Sequence, residues 1–256
     1  MSAWAAYLLI VLALLLAFEG GFRLSHVKRM KLSSEQRSQV GSVLAALLGV
    51  LGFVLGFSFS IVEARFSARR ALVIREANAI GTAYLRSNFL PPGEDALSKE
   101  LLRQYVDLRL QQPDAESFPR LLQESERVHA RLWSLASRAA DEAPNSIPLG
   151  TYINALNEVI DLHEERLSVA VRDRLPSTFL VTLFGAAALA MGVLGLSTGQ
   201  TGSRNLVASL PFILVLAALL SLIADLDRPE MRTATVGQGA MKDLQRTIRK
   251  APPEFP

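Results

Sequence analysis

Residues 40–62 read VGSVLAALLGVLGFVLGFSFSIV, a run of 23 positions without a charged side chain. A helix of about 20 residues, rising 1.5 Å per residue, crosses the hydrocarbon core of a bilayer. Backbone amides in that core need partners within their own segment, so an isolated apolar run of this length must be helical. The stretch therefore predicts a transmembrane helix in a protein whose membrane part is all-α.

Three further apolar runs have comparable length. Residues 1–18 are uncharged, residues 175–203 provide 29 uncharged positions, and residues 205–224 provide 20. The first run has no basic residue before it and no small-x-small cleavage motif after it, so we interpret it as an uncleaved membrane helix. The fold class expected is therefore an all-α, four-span transmembrane protein, with a helical cytosolic domain inserted between two pairs of spans.

The domain boundaries follow from these runs. We expect two spans in 1–62, a cytosolic helical domain in 63–177, two spans in 178–225 and a cytosolic tail in 226–256. The helical pattern continues without a breaker from Val62 to Leu85, which predicts that the second span extends well beyond the membrane.

Prolines and glycines divide the inserted domain into helices. Helices are expected from about Asp95 to Leu110, from Ser117 to near Pro144, and from Leu149 to Leu175, with Pro176 at the re-entry into the membrane. In the tail, a short helix is expected over 241–250, lying on the membrane surface or on a neighbouring subunit.

Basic residues near the span ends bear on orientation. Eleven Lys and Arg lie on the side shared by the N-terminus, the central domain and the C-terminus, and six lie on the other side. Because cytoplasmic loops carry an excess of Lys and Arg, this distribution favours a cytoplasmic central domain in a multi-pass protein of the cell (inner) membrane. The first span favours the opposite orientation, since no basic residue precedes it and five follow it.

The composition excludes several classes of site. The chain has no cysteine, which rules out disulfides, thiolate metal sites and cysteine nucleophiles. It has no P-loop, dinucleotide fingerprint or hydrolase elbow, so an enzyme is not indicated and no cofactor is expected. The net charge is +3, but the basic residues cluster beside the apolar runs, which favours anionic lipid headgroups over nucleic acid as partners.

Two short patterns are interpreted as structural. His163-Glu164-Glu165, near Asp161, contains metal-ligand side chains, but we expect a solvated helical face there and no metal site. The pair Gly195 and Gly199 is interpreted as a flexible turn between the third and fourth spans.

The second span carries the most informative pattern. Small residues recur every four positions, at Gly52, Gly56, Ser60 and Ala64, and such a row lets another helix approach closely. Beside this row lie Phe53 and Phe57, also four residues apart. One such helix could simply face lipid. Several copies around an axis would stack these rings into a hydrophobic constriction, which can gate a pore by dewetting.

The string Phe53-Val54-Leu55-Gly56-Phe57, followed by Arg65-Phe66, resembles the pore-neck helix of bestrophin channels. The chain as a whole resembles the bacterial bestrophin-like family of membrane proteins over most of residues 40–235. The segments that carry this wider resemblance are Arg70, residues 76–86 (EANAIGTAYLR), residues 105–109 (YVDLR) and residues 226–229 (LDRP).

The resemblance implies a homopentamer in the lipid bilayer, with the second span lining a pore for permeant ions. Phe53 and Phe57 would form the neck. The third neck position, one turn before Phe53, is Gly49 here instead of a bulky aliphatic residue. No acidic cluster resembling a calcium clasp follows the fourth span.

Charged residues follow the second span at Glu63, Arg65, Arg69 and Arg70. They are candidates for a pore mouth or vestibule, where arginine rings would concentrate anions and a Glu63 ring would favour cations. Anchoring to lipid phosphates is the alternative.

Three further polar residues are expected to form structural pairs. Glu76 and Asn78 lie where the long helix leaves the membrane. Asp227 ends the fourth span, where a carboxylate faces the negative end of the helix dipole and needs a partner. We expect that partner to be Arg69 or Arg70.

Three functions remain open on these observations. The first is a bestrophin-like ion channel, with anions favoured. The second is a non-conducting membrane scaffold or regulatory protein whose helical domain binds a partner. The third is a carrier, which is less favoured because no span is broken at its centre by Gly or Pro.

Overall fold

A computed structural model describes residues 3–27, 33–111, 116–172, 175–200, 206–227 and 237–250. Within these ranges the chain is all-α and contains no strand. The helices are α1 (Ala3–Val27), α2 (Ser34–Arg86), α3 (Glu94–Leu110), α4 (Phe118–Glu142), α5 (Ile147–Arg172), α6 (Ser177–Gly199), α7 (Leu206–Asp227) and α8 (Gly239–Lys250). A short 3-10 helix, Ser87–Phe89, follows α2.

The prediction of four membrane spans is confirmed, since α1, α2, α6 and α7 are each long and apolar enough to cross a bilayer. The first helix continues past Phe18 to Val27, and Glu19 and Arg23, one turn apart in this extension, form an ion pair of 2.7 Å. The continuous second helix is also confirmed. At 1.5 Å per residue, the 53 residues of α2 extend roughly 80 Å, about twice the thickness of a bilayer.

Both ends of α2 have identifiable causes. At its start, Ser33 and Gln36 form a capping box in which each side chain accepts the other's backbone N–H, at 3.2 and 3.0 Å. Beyond its end, Pro91-Pro92-Gly93 stops the helical path, and Gly93 adopts a φ of 91° that other residues rarely tolerate. The predicted stop and the helix starting near Asp95 are therefore confirmed.

The chain divides into two compact units. Unit 1 comprises Met1–Ser67 and Arg174–Val236, and unit 2 comprises Ala68–Asp173 and Gly237–Pro256. The core of unit 1 is formed by apolar side chains of the four spans, among them Phe18, Leu55, Met191 and Leu220. Phe18, Met191 and Leu220 are almost fully buried.

Glycines allow α1 and α6 to pack with their backbones in contact. A Cβ added to Gly21 would lie 1.9 Å from the carbonyl oxygen of Gly192, and one added to Gly195 would lie 1.9 Å from that of Phe18. A Cβ on Gly199 would lie 2.8 Å from that of Ser25. Small residues at this spacing are the usual means of close approach between membrane helices.

The interpretation of Gly195 and Gly199 as a flexible turn is therefore wrong. Both residues belong to α6, which ends at Gly199, and both are buried against α1. The spacing of the two glycines also suits a helix interface, and the sequence alone does not show that they face Phe18 and Ser25 of α1.

Unit 2 is a helical domain with its own core. Large side chains of α3, α4 and α5, among them Leu102, Tyr105, Leu132 and Leu156, are fully buried together with Ile80 of α2. Next to this core, the hydroxyl groups of Ser87, Ser98 and Tyr152 form a buried chain with O···O distances of 2.9 and 2.8 Å.

The tail helix α8 belongs to unit 2. Its apolar side chains Met241 and Ile248 are buried in the domain core. Asp107 of α3 accepts hydrogen bonds from Gln245 and Arg249, at 2.6 and 2.9 Å. The predicted helix at 241–250 is confirmed, but its expected location was wrong, because it lies against its own chain.

The close contact between α1 and α6 predicts that two Gly→Ala substitutions in α6 differ in their effect on stability. Gly195→Ala places a methyl group against the Phe18 carbonyl and should destabilise the protein by about 1–3 kcal/mol. Gly185→Ala is the matched control, since no atom lies within 4 Å of its added Cβ. Thermal unfolding in detergent should show a lower Tm for Gly195→Ala alone. Equal melting temperatures for the two variants would contradict the interface.

Candidate functional site

The apolar part of α2 has two distinct faces. Leu51, Leu55 and Val62 are buried against the other helices of unit 1. On the opposite face, the side chains of Phe53 and Phe57 are 75% and 58% exposed. Since both aromatic side chains point away from their own chain, the predicted neck residues are available to lipid or to a second subunit.

The small residues of α2 lie on the same exposed face. Gly49, Gly52, Gly56 and Ser60 are all exposed, and among the described residues no atom lies within 4 Å of a Cβ added to any of the three glycines. These glycines differ in this respect from Gly195 and Gly199 of α6, where an added Cβ would clash with α1. The close approach expected at Gly52 and Gly56 therefore has no partner helix within the described part of this chain.

The charged residues after the neck differ in exposure. Glu63 is exposed and accepts a hydrogen bond from the Ser67 hydroxyl at 2.8 Å. Arg70 is exposed, Arg65 is half-buried and Arg69 is buried. Glu63 and Arg70 are thus the members of this set whose charges are most accessible from solvent.

Glu76 is the centre of a buried ion-pair network in unit 2. Its side chain has no exposed area, and its carboxylate binds Arg109 Nε of α3 at 3.0 Å and the guanidinium of Arg166 of α5. The hydroxyl of Tyr105 donates to the same carboxylate at 2.7 Å. Glu76 therefore pairs within its own chain and connects α2 to α3 and α5. Removing one member of such a buried pair typically costs about 3–5 kcal/mol.

Two histidines extend this network. His163 Nδ1 lies 3.0 Å from the Tyr105 hydroxyl oxygen, and the ring of His129 lies 4.6 Å from the Tyr105 ring and 4.9 Å from that of His163. Burial, together with the nearby Arg109 guanidinium, lowers the pKa of His163 to about 3 and that of His129 to about 4. Burial also raises the pKa of Tyr105 well above its usual value. These rings are therefore neutral at physiological pH.

The expectation of a solvated face around His163 was wrong for the histidine itself. His163 is 1% exposed, whereas Asp161, Glu164 and Glu165 are exposed as expected. The helical period gave a usable signal, because His163 follows the buried Leu156 by two turns. Among the described residues, no group of three or more His, Asp or Glu side chains is arranged to hold a metal ion.

The remaining two predicted pairing residues lie in different environments. Asn78 is exposed on α2. Asp227 is 2% exposed, and its carboxylate accepts the backbone N–H of Leu175 at 2.8 Å, just before α6 begins. Asp227 thus stabilises the entry into α6, and its pairing with Arg69 or Arg70 stays a prediction. The Arg228-Pro229 segment lies outside the described residues.

The histidine pair predicts a loss of stability in mild acid. In the unfolded chain both imidazoles bind a proton near pH 6.5, whereas in the folded chain they do so near pH 3 to 4. The unfolded state therefore binds more protons between these pH values. As the pH falls through this range, each histidine lowers the free energy of unfolding by up to about 1.4 kcal/mol for each pH unit. Above pH 6.5 neither the folded nor the unfolded chain binds these protons, so the two histidines no longer lower the free energy of unfolding.

Thermal unfolding in detergent between pH 7.5 and 5.5 measures this effect. The Tm of the wild type should fall more steeply than that of a His129→Gln/His163→Gln variant. Parallel curves for the two proteins would show that other groups cause the acid sensitivity.

Comparison with known proteins places this architecture in a family. The sequence model of the family named bestrophin-like domain matches residues 10–231 of this chain. No curated protein shows significant similarity to the chain.

Solved structures of a bacterial bestrophin homologue from Klebsiella pneumoniae have the same fold. One variant structure has a TM-score of 0.64 at 19% identity and covers 98% of both chains. A second variant has a TM-score of 0.61 at 19% identity, covering 98% of this chain and 97% of its own. A third structure of this homologue has 19% identity and a TM-score of 0.61, and the match covers 96% of this chain and 95% of the homologue. Since the family model spans most of the sequence, the chain, with its four membrane-spanning helices, belongs to the bestrophin-like family.

Proposed function

We propose that this protein forms a homopentameric ion channel in which α2 lines the pore. The observation that carries the proposal is the division of α2 into two faces. Leu51, Leu55 and Val62 are buried in unit 1, and the opposite face presents Phe53 and Phe57 beside a row of small residues. A helix in contact with lipid alone has no need of an open row of glycines, whereas helices gathered around an axis do.

The paired phenyl rings would act as a hydrophobic constriction. In a ring of α2 helices, Phe53 and Phe57 of each subunit would form two stacked apolar layers that disfavour water and ions. Gly49, one turn before Phe53, adds no side chain, so the narrow part of the pore would end at Phe53. The neck would thus be a barrier of two aromatic layers.

The charges after the neck support a preference for anions. Arg65, Arg69 and Arg70 against Glu63 leave a net charge of +2 per subunit (three positive, one negative). The exposed Arg70 and Glu63 offset each other, so the excess comes from the half-buried Arg65 and the buried Arg69. Repeated around an axis, such an excess raises the local concentration of anions. We place both termini and the inserted domain in the cytoplasm, in agreement with the majority of the basic residues near the span ends.

The absence of cysteine makes the assembly directly testable. Ser60 lies on the exposed face of α2, whereas Ser58 is buried in its own chain and donates a hydrogen bond to the Val54 carbonyl. In native membranes, a short bifunctional thiol reagent should link Ser60→Cys subunits into covalent dimers and leave Ser58→Cys monomeric. Equal linking of both variants, or of neither, would argue against an axis lined by this face. Native mass spectrometry of the same protein gives the subunit count.

Flux measurements test conduction and the role of the rings. Liposomes containing the Phe53→Ala/Phe57→Ala variant should release chloride about tenfold faster than those with wild type, a factor that corresponds to a barrier lowered by about 1.4 kcal/mol. Phe59→Ala is the matched control, because Phe59 is on the same helix but about 120° around it from Phe53. Faster potassium than chloride release would contradict the anion preference. Absence of flux from every variant would favour the non-conducting scaffold.

A further inference from the structure

Helix α4 of unit 2 carries a basic face, formed by Arg127 and Arg131. The two arginines lie one turn apart and are both exposed. Neither forms an ion pair with another residue that the structure describes. Two turns beyond Arg131, and on the same face, Arg138 binds Glu94 of α3 at 3.2 Å. The middle of α4 therefore presents two positive charges without a partner, on the side of the helix that faces α3.

Helix α5 carries an acidic face, formed by Glu158, Asp161 and Glu164. These residues follow one another at intervals of three positions, so they lie within about 120° of the helix circumference, and all three are exposed. Within the described part of the chain they take part in no ion pair. The neighbouring Glu165 binds Arg75 of α2 at 3.5 Å. The acidic face thus lies beside α2.

The basic face and the acidic face do not meet within one subunit. The ion pair of Arg138 with Glu94 places the basic face beside α3, and that of Glu165 with Arg75 places the acidic face beside α2. Opposite charges of similar number and spacing are therefore held on two different sides of the same folded unit.

A second copy of this chain is the partner that fits both faces at once. An acidic protein would match only the basic face, and a basic protein would match only the acidic face. Two copies placed head to tail bring the basic face of one against the acidic face of the other. Each copy then keeps its second face free for a further copy, and such heterologous contacts generate a ring when the rotation closes.

We propose that the basic face of α4 in one subunit binds the acidic face of α5 in the next. Exposed ion pairs contribute only about 0–1 kcal/mol each, so this contact fixes the direction and register of assembly more than its strength. The inference rests on the assembly proposed above for α2, and it adds the surfaces through which the helical domains of adjacent subunits meet.

Because the chain has no cysteine, introduced thiols report on this contact in native membranes. Arg131→Cys and Asp161→Cys are placed on two full-length chains that carry tags of different size and are co-expressed. A short bifunctional thiol reagent should link them into a mixed dimer. Either variant expressed alone should stay monomeric, since a head-to-tail contact does not place a position against itself. Ser137→Cys with Asp161→Cys is the matched control, because Ser137 is exposed on α4 but about 120° around it from Arg131.

Charge reversal tests the same contact independently. Arg127→Glu/Arg131→Glu and Glu158→Arg/Asp161→Arg each place like charges against each other at every contact, and each should lower the oligomeric fraction in detergent about tenfold. The variant with all four substitutions restores opposite signs and should recover the wild-type fraction, measured by native mass spectrometry at equal protein concentration. Thermal unfolding shows that each variant is folded, as the exposure of all four side chains leads us to expect.

The outcomes separate this contact from the proposed channel. A monomeric wild type would overturn both. Links through Ser60→Cys without any link between Arg131→Cys and Asp161→Cys would overturn the α4–α5 contact alone. Equal linking from Ser137→Cys would overturn it as well, and so would a variant with all four substitutions that stays dissociated.

Discussion

The inside of a bilayer offers no hydrogen-bond partner to a peptide group, and this constraint shapes α2 more than any side chain does. A run of 23 uncharged residues must form an unbroken helix, and an unbroken helix holds its side chains at fixed angles. Leu55 and Val62 therefore face the core of unit 1, while Phe53 and Phe57 face away. The proposed pore depends on that separation, because a helix free to rotate would not hold two aromatic layers toward one axis.

Two rows of small residues in this protein differ in whether a helix of the same chain packs against them. On α6, Gly195 and Gly199 contact the backbone or side chains of α1 where a Cβ would clash, so their lack of a side chain is used within the chain. On α2, Gly52 and Gly56 face open space. The two rows look alike as sequence, and the position of the facing helix distinguishes them. A row of glycines left open in one subunit is a natural contact for another, which is the basis for proposing an assembly here.

The segments that carry the family resemblance meet in unit 2. Glu76, from segment 76–86 of α2, is bound by Tyr105 and Arg109 of segment 105–109 on α3. Asp107, from the same stretch of α3, holds α8 through Gln245 and Arg249. A fully buried carboxylate needs this number of partners to offset its loss of hydration. Two guanidinium groups, those of Arg109 and Arg166, meet this one carboxylate.

The sequence by itself determined the four spans, the continuous second helix, the breaks at Pro91-Pro92-Gly93 and near Pro144, and the helix of the tail. These features follow from local rules of hydropathy and backbone geometry, which act over a few turns. Only the tertiary structure decided that Gly195 belongs to a helix interface, that His163 is buried and that α8 packs on its own chain. Each of these depends on a residue distant in sequence: Phe18 for Gly195, Tyr105 for His163 and Asp107 for α8. Periodicity shows that a side chain faces inward, but the partner that meets it depends on how the helices pack together.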